Sequence, residues 1–246
     1  MPFVPVVLYT DALLWLLVLG LGAYAWSCAR RPHLAAPWRR VFQSRAALAS
    51  GTVLAMFILV GLADSLHWSA ARGGAEQSLL DVVLGHLRER GEKTYSAPLA
   101  TRLYAKEQIE APGGKTVRDY PRLRYGGSHL KDEADAARDI AWLAARGLMA
   151  SAVLWVLLYL SFAKALRRNS PQVPWGAGWI ALAAVLALAG PALSLSQHWH
   201  VLGTDKVGND VLFQALKSIR TSLVIGTLTT LVLLPLGVAL GIAAGY

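Results

Sequence analysis

Apolar positions along this chain gather into five long runs, at residues 6–26, 46–63, 147–163, 176–195 and 223–246, and polar positions gather between them. A helix of about 17–25 apolar residues crosses a bilayer core of roughly 30 Å, so each run predicts a transmembrane helix. Between the second and third runs, residues 64–140 form a polar insert long enough for a small domain. Its stretch EQSLLDVVLGHLRERGEK places Leu79, Leu80, Val83, Leu84 and Leu87 at helical spacing, with Gly91 as a C-terminal stop. APGGKTVRDYPRLRYGGSH follows, where Pro-Gly-Gly and Gly-Gly surround short β-prone pieces such as 115–117, which predicts a turn-rich segment or hairpin. KDEADAARDIAW then reads as a helix start with acids in its first turn, running directly into the third span.

The fourth run gives way to HVLGTDKVGND, residues 200–210, a stretch too polar and too rich in turn formers to lie in hydrocarbon. Gly203 and Gly208 permit a positive φ where the chain reverses, and Thr204 and Asp205 can bond neighbouring amides. Asn209 or Asp210 suits the N-cap of the next helix. Val211, Leu212, Ala215, Leu216 and Ile219 recur at helical spacing beside Lys217 and Arg220, which predicts an interfacial amphipathic helix that turns into the fifth span. That span carries Gly237, Gly241 and Gly245 four residues apart, a stripe suited to close helix packing, with Pro235 as a site for a kink. The expected architecture is an all-α membrane protein of about five transmembrane helices, with a small extracytoplasmic insert, helical with a turn-rich segment or hairpin, and an interfacial amphipathic helix. Its segments are 1–63 (two spans and a basic loop), 64–140 (the insert), 141–196 (two further spans) and 197–246 (turn, interfacial helix and last span).

Composition agrees with this pattern. The chain is 55% hydrophobic and 16% charged, where a soluble domain carries about 25% charged residues. The first run is not read as a secretory signal peptide, because no Lys or Arg precedes it and basic residues follow it in CARRPHLAAPWRR. Cys28 is the only cysteine, so no disulfide can form within the chain.

The net charge of +9 is a signal of topology. Arg30, Arg31, Arg39, Arg40 and Arg45 crowd the first connection, and Lys164, Arg167 and Arg168 crowd the connection between the third and fourth spans, with no acid in either. Short loops biased toward Lys and Arg face the cytoplasm, which places the N-terminus and residues 64–140 outside. The insert balances 12 basic against 12 acidic residues, so the excess charge lies in the two loops, where it also attracts anionic lipid. A nucleic-acid partner, which needs a basic face with a recognition motif, is not expected. Trp26, Trp175, Trp179 and Trp199 stand near span boundaries, where amphipathic rings favour the headgroup region. Asp11 and Arg146 lie near outer span edges and read as interfacial charges a short displacement from water.

Candidate chemistry is sparse. Ser69, Ser78, Ser96, Ser128, His67, His86 and His129 lie in the insert, but no nucleophile elbow, zinc-protease motif or Cys/His cluster organises them, so no catalytic residue is assigned. Gly113-Gly114-Lys115-Thr116 lacks the first Gly that a phosphate loop requires. His198 and His200 form a His-x-His pair with no third ligand nearby and, beside Trp199, read as part of an interfacial cap instead of a metal site. No cofactor is expected.

One ordered set of residues points further. His200, Leu202, Gly203, Thr204, Asp205, Gly208, Asp210 and Val211 in the turn are followed by Arg220, Ser222, Leu223, Gly237, Gly241, Ala244, Gly245 and Tyr246 in the last span. This series resembles the C-type inner-membrane permease subunits of bacterial ABC importers for oligopeptides, dipeptides and nickel. Members of that family typically read His-Pro-Leu-Gly-Thr-Asp-x-x-Gly-Arg-Asp-Val, then a span opening near Gly-x-Arg-x-Ser-Leu and closing Gly-x-x-x-Gly-x-x-Ala-Gly-Tyr. The present chain departs at Val201 (usually Pro), Asn209 (usually Arg) and Ser218 (usually Gly), and residues 1–196 match no family motif. The resemblance implies a multi-pass subunit of the bacterial inner membrane that performs no bond chemistry itself. Its implied partners are a second permease, cytoplasmic ATPase subunits that bind the ATP, an extracytoplasmic solute-binding protein and membrane lipid. The family's Glu-Ala-Ala coupling loop does not occur here, so the chain is expected to be the N-terminal portion of a longer permease or a truncated product. The alternative is a non-transporting membrane anchor or assembly protein that displays residues 64–140.

Overall fold

The computed structural model describes residues 4–6, 8–69, 76–110 and 116–245. A short strand β1 (Val4–Val6) leads into α1 (Tyr9–Arg30), which ends where Arg31 takes an extended conformation before Pro32, as the clash between a residue and a following proline ring demands. Next come α2 (Pro32–Gln43) and α3 (Arg45–Ser65), the latter opened by Ser44, whose hydroxyl accepts the Ala47 amide. The insert contributes β2 (His67–Ser69), β3 (Glu76–Ser78), α4 (Leu79–Val83), α5 (Gly85–Arg88), β4 (Glu107–Glu110) and β5 (Thr116–Asp119). Then follow α6 (Ala136–Asn169), α7 (Trp175–Leu195) and α8 (Val211–Gly245). The helices α1, α3, α6, α7 and α8 are long and apolar enough to cross a membrane, and helix predominates over the few short strands, so this is an all-α, multi-pass membrane protein.

Four features depart from the sequence expectation. The basic first connection is itself a helix, α2, that continues through Pro37. The helix expected over 76–91 is broken: Glu76–Ser78 is strand, and α4 and α5 are separated at Leu84, just before the helix-weakening Gly85. The strands β1, β2 and β3 form an antiparallel sheet, with Val6 opposite His67 and His67 opposite Ser78. Three-residue strands are too short to show a period of two, so the pattern did not announce them. Finally, no separate interfacial helix precedes the fifth span. Residues 211–219 are the first turns of α8, one helix of 35 residues that continues through Pro235. A hairpin does form, β4 paired with β5 and Ile109 opposite Val117, but only β5 falls in the 111–129 stretch where a turn-rich segment or hairpin was expected; β4 precedes it, and the connecting residues lie outside those described.

The chain divides into two compact units. One comprises Met1–Arg39, Leu54–Val83 and Leu216–Tyr246; the other comprises Arg40–Val53 and Leu84–Ala215. In the first, Leu13, Leu16 and Leu17 of α1 and Val224, Leu228 and Leu231 of α8 line a common crevice. Gly61 of α3 lets Leu223 approach: a Cβ there would lie 2.8 Å from the leucine Cδ1. In the second, α6 and α7 cross at Gly147 and Gly190, where a Cβ on Gly147 would lie 2.4 Å from the Gly190 carbonyl oxygen. Each glycine begins a small-xxx-small unit, Gly147 with Ser151 and Gly190 with Ser194. Such pairs let backbones touch in lipid, where dispersion replaces the hydrophobic effect as the force between helices. Toward the other end of the pair, the Trp155 indole donates to the Trp179 carbonyl at 2.9 Å and stacks on Tyr159.

Candidate functional site

Within the second unit, the polar turn at 200–210 is gripped by the insert. His200 is 2% exposed. Its Nδ1 lies 2.7 Å from Asp210 Oδ2 and its Nε2 lies 3.4 Å from Glu92 Oε1, so the imidazole is held between two carboxylates. Burial alone would lower the His200 pKa, but bonds to Asp210 and Glu92 and their negative charge overcome it and raise it to about 9. Burial likewise pushes the Glu92 carboxyl up, yet its bond to His200 and the backbone amides of Arg124, Tyr125 and Gly126 bring it below the ordinary value. The amides of Arg124 and Tyr125 reach it at 2.9 and 2.7 Å. Glu92 therefore ties the turn to the 124–126 segment.

Other turn residues are fixed as closely. Thr204 is buried and donates to the Thr94 carbonyl at 2.8 Å. Asp205 accepts the Val207 and Asn209 amides through Oδ1, while Gln214 donates to Oδ2. Its pKa is lowered chiefly by Gln214 and by the Asn209 amide. Asp210 has two tasks: Oδ2 takes His200, and Oδ1 caps α8 by accepting the Leu212 and Phe213 amides at 2.9 and 3.2 Å. Val211 opens α8 and donates its amide to Gly203, while Leu202 points its side chain outward. Gly203 (φ 77°) and Gly208 (φ 85°) are both left-handed. A Cβ would lie 2.3 Å from the Ser96 oxygen at Gly203 and 1.8 Å from the Glu92 oxygen at Gly208. Glycine is required at both positions by conformation and by space. Leu99 also takes a positive φ of 53°, uncommon for a leucine, and is held there by the hydrogen bond its amide donates to the His200 carbonyl.

Two interfacial assignments in this unit are corrected. Trp199 is 1% exposed and sits in a core with Leu143 and Leu195, its indole donating to Asp139 at 2.9 Å. It anchors the turn onto α6 and α7 and presents no face to surrounding lipid headgroups. His198 and His200 are not one cap: His200 faces the carboxylates, while the His198 ring lies 4.7 Å from that of His129. His129 bonds Asp139, and Ser128 donates to the Tyr125 carbonyl.

The first unit contains a second polar centre, built around Arg220. Its Nη1 lies 2.8 Å from Asp11 Oδ1 and 3.3 Å from His67 Nε2, and its Nε faces Asp64 Oδ2 at 3.4 Å. His67 Nδ1 meets Asp11 Oδ2 at 2.9 Å. Ser78 donates to Asp64 at 2.8 Å, and Lys217 lies 2.7 Å from Asp81 and 3.9 Å from Asp64. Burial would raise the Asp81 carboxyl; the Lys217 and Ser78 bonds outweigh it and lower its pKa. Asp11 and Asp64 are each 1% exposed, which corrects the reading of Asp11 as an interfacial charge near water. Buried carboxylates persist only when paired and hydrogen-bonded, and Arg220 supplies the positive charge for both.

Other members of the sequence series are not brought to either centre. Ser222 is exposed, and a Cβ on Gly237, Gly241 or Gly245 would meet nothing within 4 Å among the described residues. Ala244 is likewise exposed, and Tyr246 lies outside the described residues. Glu92, Asp64 and Asp81 were not singled out in the sequence, and His67 was named there only as one of the insert's unorganised polar residues. Asp64 alone carried a signal, as an acid at the end of an apolar run.

Comparison of the chain with protein-family models, with characterised proteins and with solved structures returned no match.

Proposed function

We propose that this chain is a permease subunit of an ATP-driven importer for peptides or similar small solutes, set in a bacterial inner membrane with its N-terminus and residues 64–140 extracytoplasmic. The observation that carries the reading is the ordered series of sixteen residues from His200 to Tyr246. Its turn members occupy positions where the geometry demands them: glycine at 203 and 208, a capping acid at 210, a buried imidazole at 200. A turn held this rigidly suits the face on which a solute-binding protein docks. No residue in the most apolar window of α8 is buried, and among the described residues nothing occupies its glycine stripe, as suits a helix that packs on a second permease. Nucleotide hydrolysis belongs to separate ATPase subunits in this reading, and the solute crosses without covalent change.

The test is purification of the full-length gene product from its native membrane, followed by reconstitution with the proteins that co-purify. The expected result is recovery of an ATPase and a second permease, with ATP-dependent uptake of labelled oligopeptide. Recovery of the chain without an ATPase, or uptake indifferent to ATP, would overturn the proposal.

A further inference from the structure

A groove of about 320 Å³ runs along the α6–α7 pair, at the lower end of the range for small-molecule sites, about 300–1,000 Å³. Ala150, Leu154, Leu186, Ala189 and Leu193 line its apolar length, inside helices apolar enough to cross a membrane. Close approach at Gly147 and Gly190 brings the two backbones together with little side-chain bulk, and this space remains beside the crossing. One end is polar, formed by Arg146, Ser194 and Gln197. Arg146 is exposed and makes no hydrogen bond or ion pair among the described residues. The Ser194 hydroxyl is buried with no partner among the described residues, on a residue only 9% exposed.

That end is also electropositive. Arg90 reaches the carbonyls of Ser196 and Gln197 beside it. Burial first, then the charges of His129, Arg90 and Arg146, hold the His198 pKa below its ordinary value, with Asp139 the opposing acid. Asp139 is already engaged by Trp199 and His129.

We infer that this groove binds one anionic phospholipid, its acyl chain lying along α6 and α7 and its phosphate held by Arg146 at the polar end. An apolar trough in a membrane-spanning helix pair is filled by lipid chain, because water gains nothing there. A guanidinium with all its donors free matches phosphate oxygens in a paired geometry that a zwitterionic headgroup's own ammonium competes for. The Ser194 hydroxyl supplies a further donor to the ester region. A free phosphate would use the polar end alone and leave the trough without a role, so the lipid is the occupant that accounts for both. The inference does not rest on the importer reading.

The experiment uses the full chain, delipidated in detergent and placed in nanodiscs of equal phosphatidylglycerol and phosphatidylcholine, with retained lipid read by native mass spectrometry. One phosphatidylglycerol should be retained in about fivefold preference over phosphatidylcholine, the scale of a single Arg–phosphate attraction near a membrane surface. Arg146→Gln should abolish the preference while leaving retention of phosphatidylcholine, and Ala150→Phe, which fills the trough from an exposed position, should lower retention of both. Helical circular dichroism and the thermal midpoint confirm that each variant is folded. Equal retention of the two lipids by the unaltered protein, or an unchanged preference in Arg146→Gln, overturns the site. Displacement of the lipid by excess glycerol phosphate shows a free-anion site and overturns the acyl-chain assignment.

Discussion

His200 sets the pH behaviour of the second unit. Its folded pKa of about 9 stands above the ordinary histidine value of about 6.5, so the stability that its charge contributes is fully present below about pH 6.5 and is lost as pH rises through about 9. Glu92 works in the opposite sense: its pKa is depressed, so its contribution is present above about pH 4.5 and is lost as pH falls through the lowered value. Thermal unfolding in detergent should therefore show greatest stability between these limits. His200→Gln should lower it by roughly 3 kcal/mol near neutral pH and flatten the alkaline decline; a slope unchanged by the substitution would remove His200 from this role. Arg220 is the corresponding residue of the first unit. Arg220→Ala leaves Asp11 buried without its arginine partner and Asp64 with only Lys217 at 3.9 Å, and should cost about 3–5 kcal/mol, whereas Arg220→Met combined with Asp11→Asn and Asp64→Asn should regain part of the loss. The midpoints of the single and triple variants decide the matter, and a triple variant weaker than the single one would contradict the assignment.

At the scale of elements, the two sets of glycines behave differently. Gly147 is in backbone contact with α7, so Gly147→Leu must force α6 and α7 apart and should cost at least about 2 kcal/mol, read as a lowered unfolding midpoint. Gly237 and Gly241 touch nothing among the described residues, so Gly237→Leu with Gly241→Leu should leave that midpoint unchanged. Under the proposed function, the same pair should weaken co-purification of the second permease. The helix spans, and of the hairpin β5 alone, fell where the sequence pointed, because apolar runs and Gly-rich turns act locally. The β1–β2–β3 sheet was not legible, since it pairs three-residue strands from both sides of the first three helices. Small residues four apart begin at Gly147 and Gly190 as well as at Gly237, but only the Gly237 stripe was singled out in the sequence, and it is Gly147 and Gly190 that meet in the structure.

For the whole molecule, the proposed orientation follows from eight unopposed basic residues in two loops. Cys28 is buried and is the only cysteine, so a Cys28→Ser background permits labelling from either side. A cysteine at Lys131 should react with an impermeant maleimide on intact spheroplasts, and one at Arg167 only after the membrane is opened; the reverse pattern would invert the topology. By itself the sequence determined that this is a multi-pass helical membrane protein, where its spans lie, and that residues 200–210 must form a glycine-dependent turn. Hydropathy and turn chemistry are properties of neighbouring residues, so they survive without knowledge of the fold. Which charges meet was decided only by tertiary structure. Glu92 reaches His200 across 108 positions and Arg220 reaches Asp11 across 209. No local pattern singles out one acid of the insert as the partner of a buried imidazole, because that choice depends on which surfaces the folded chain removes from water.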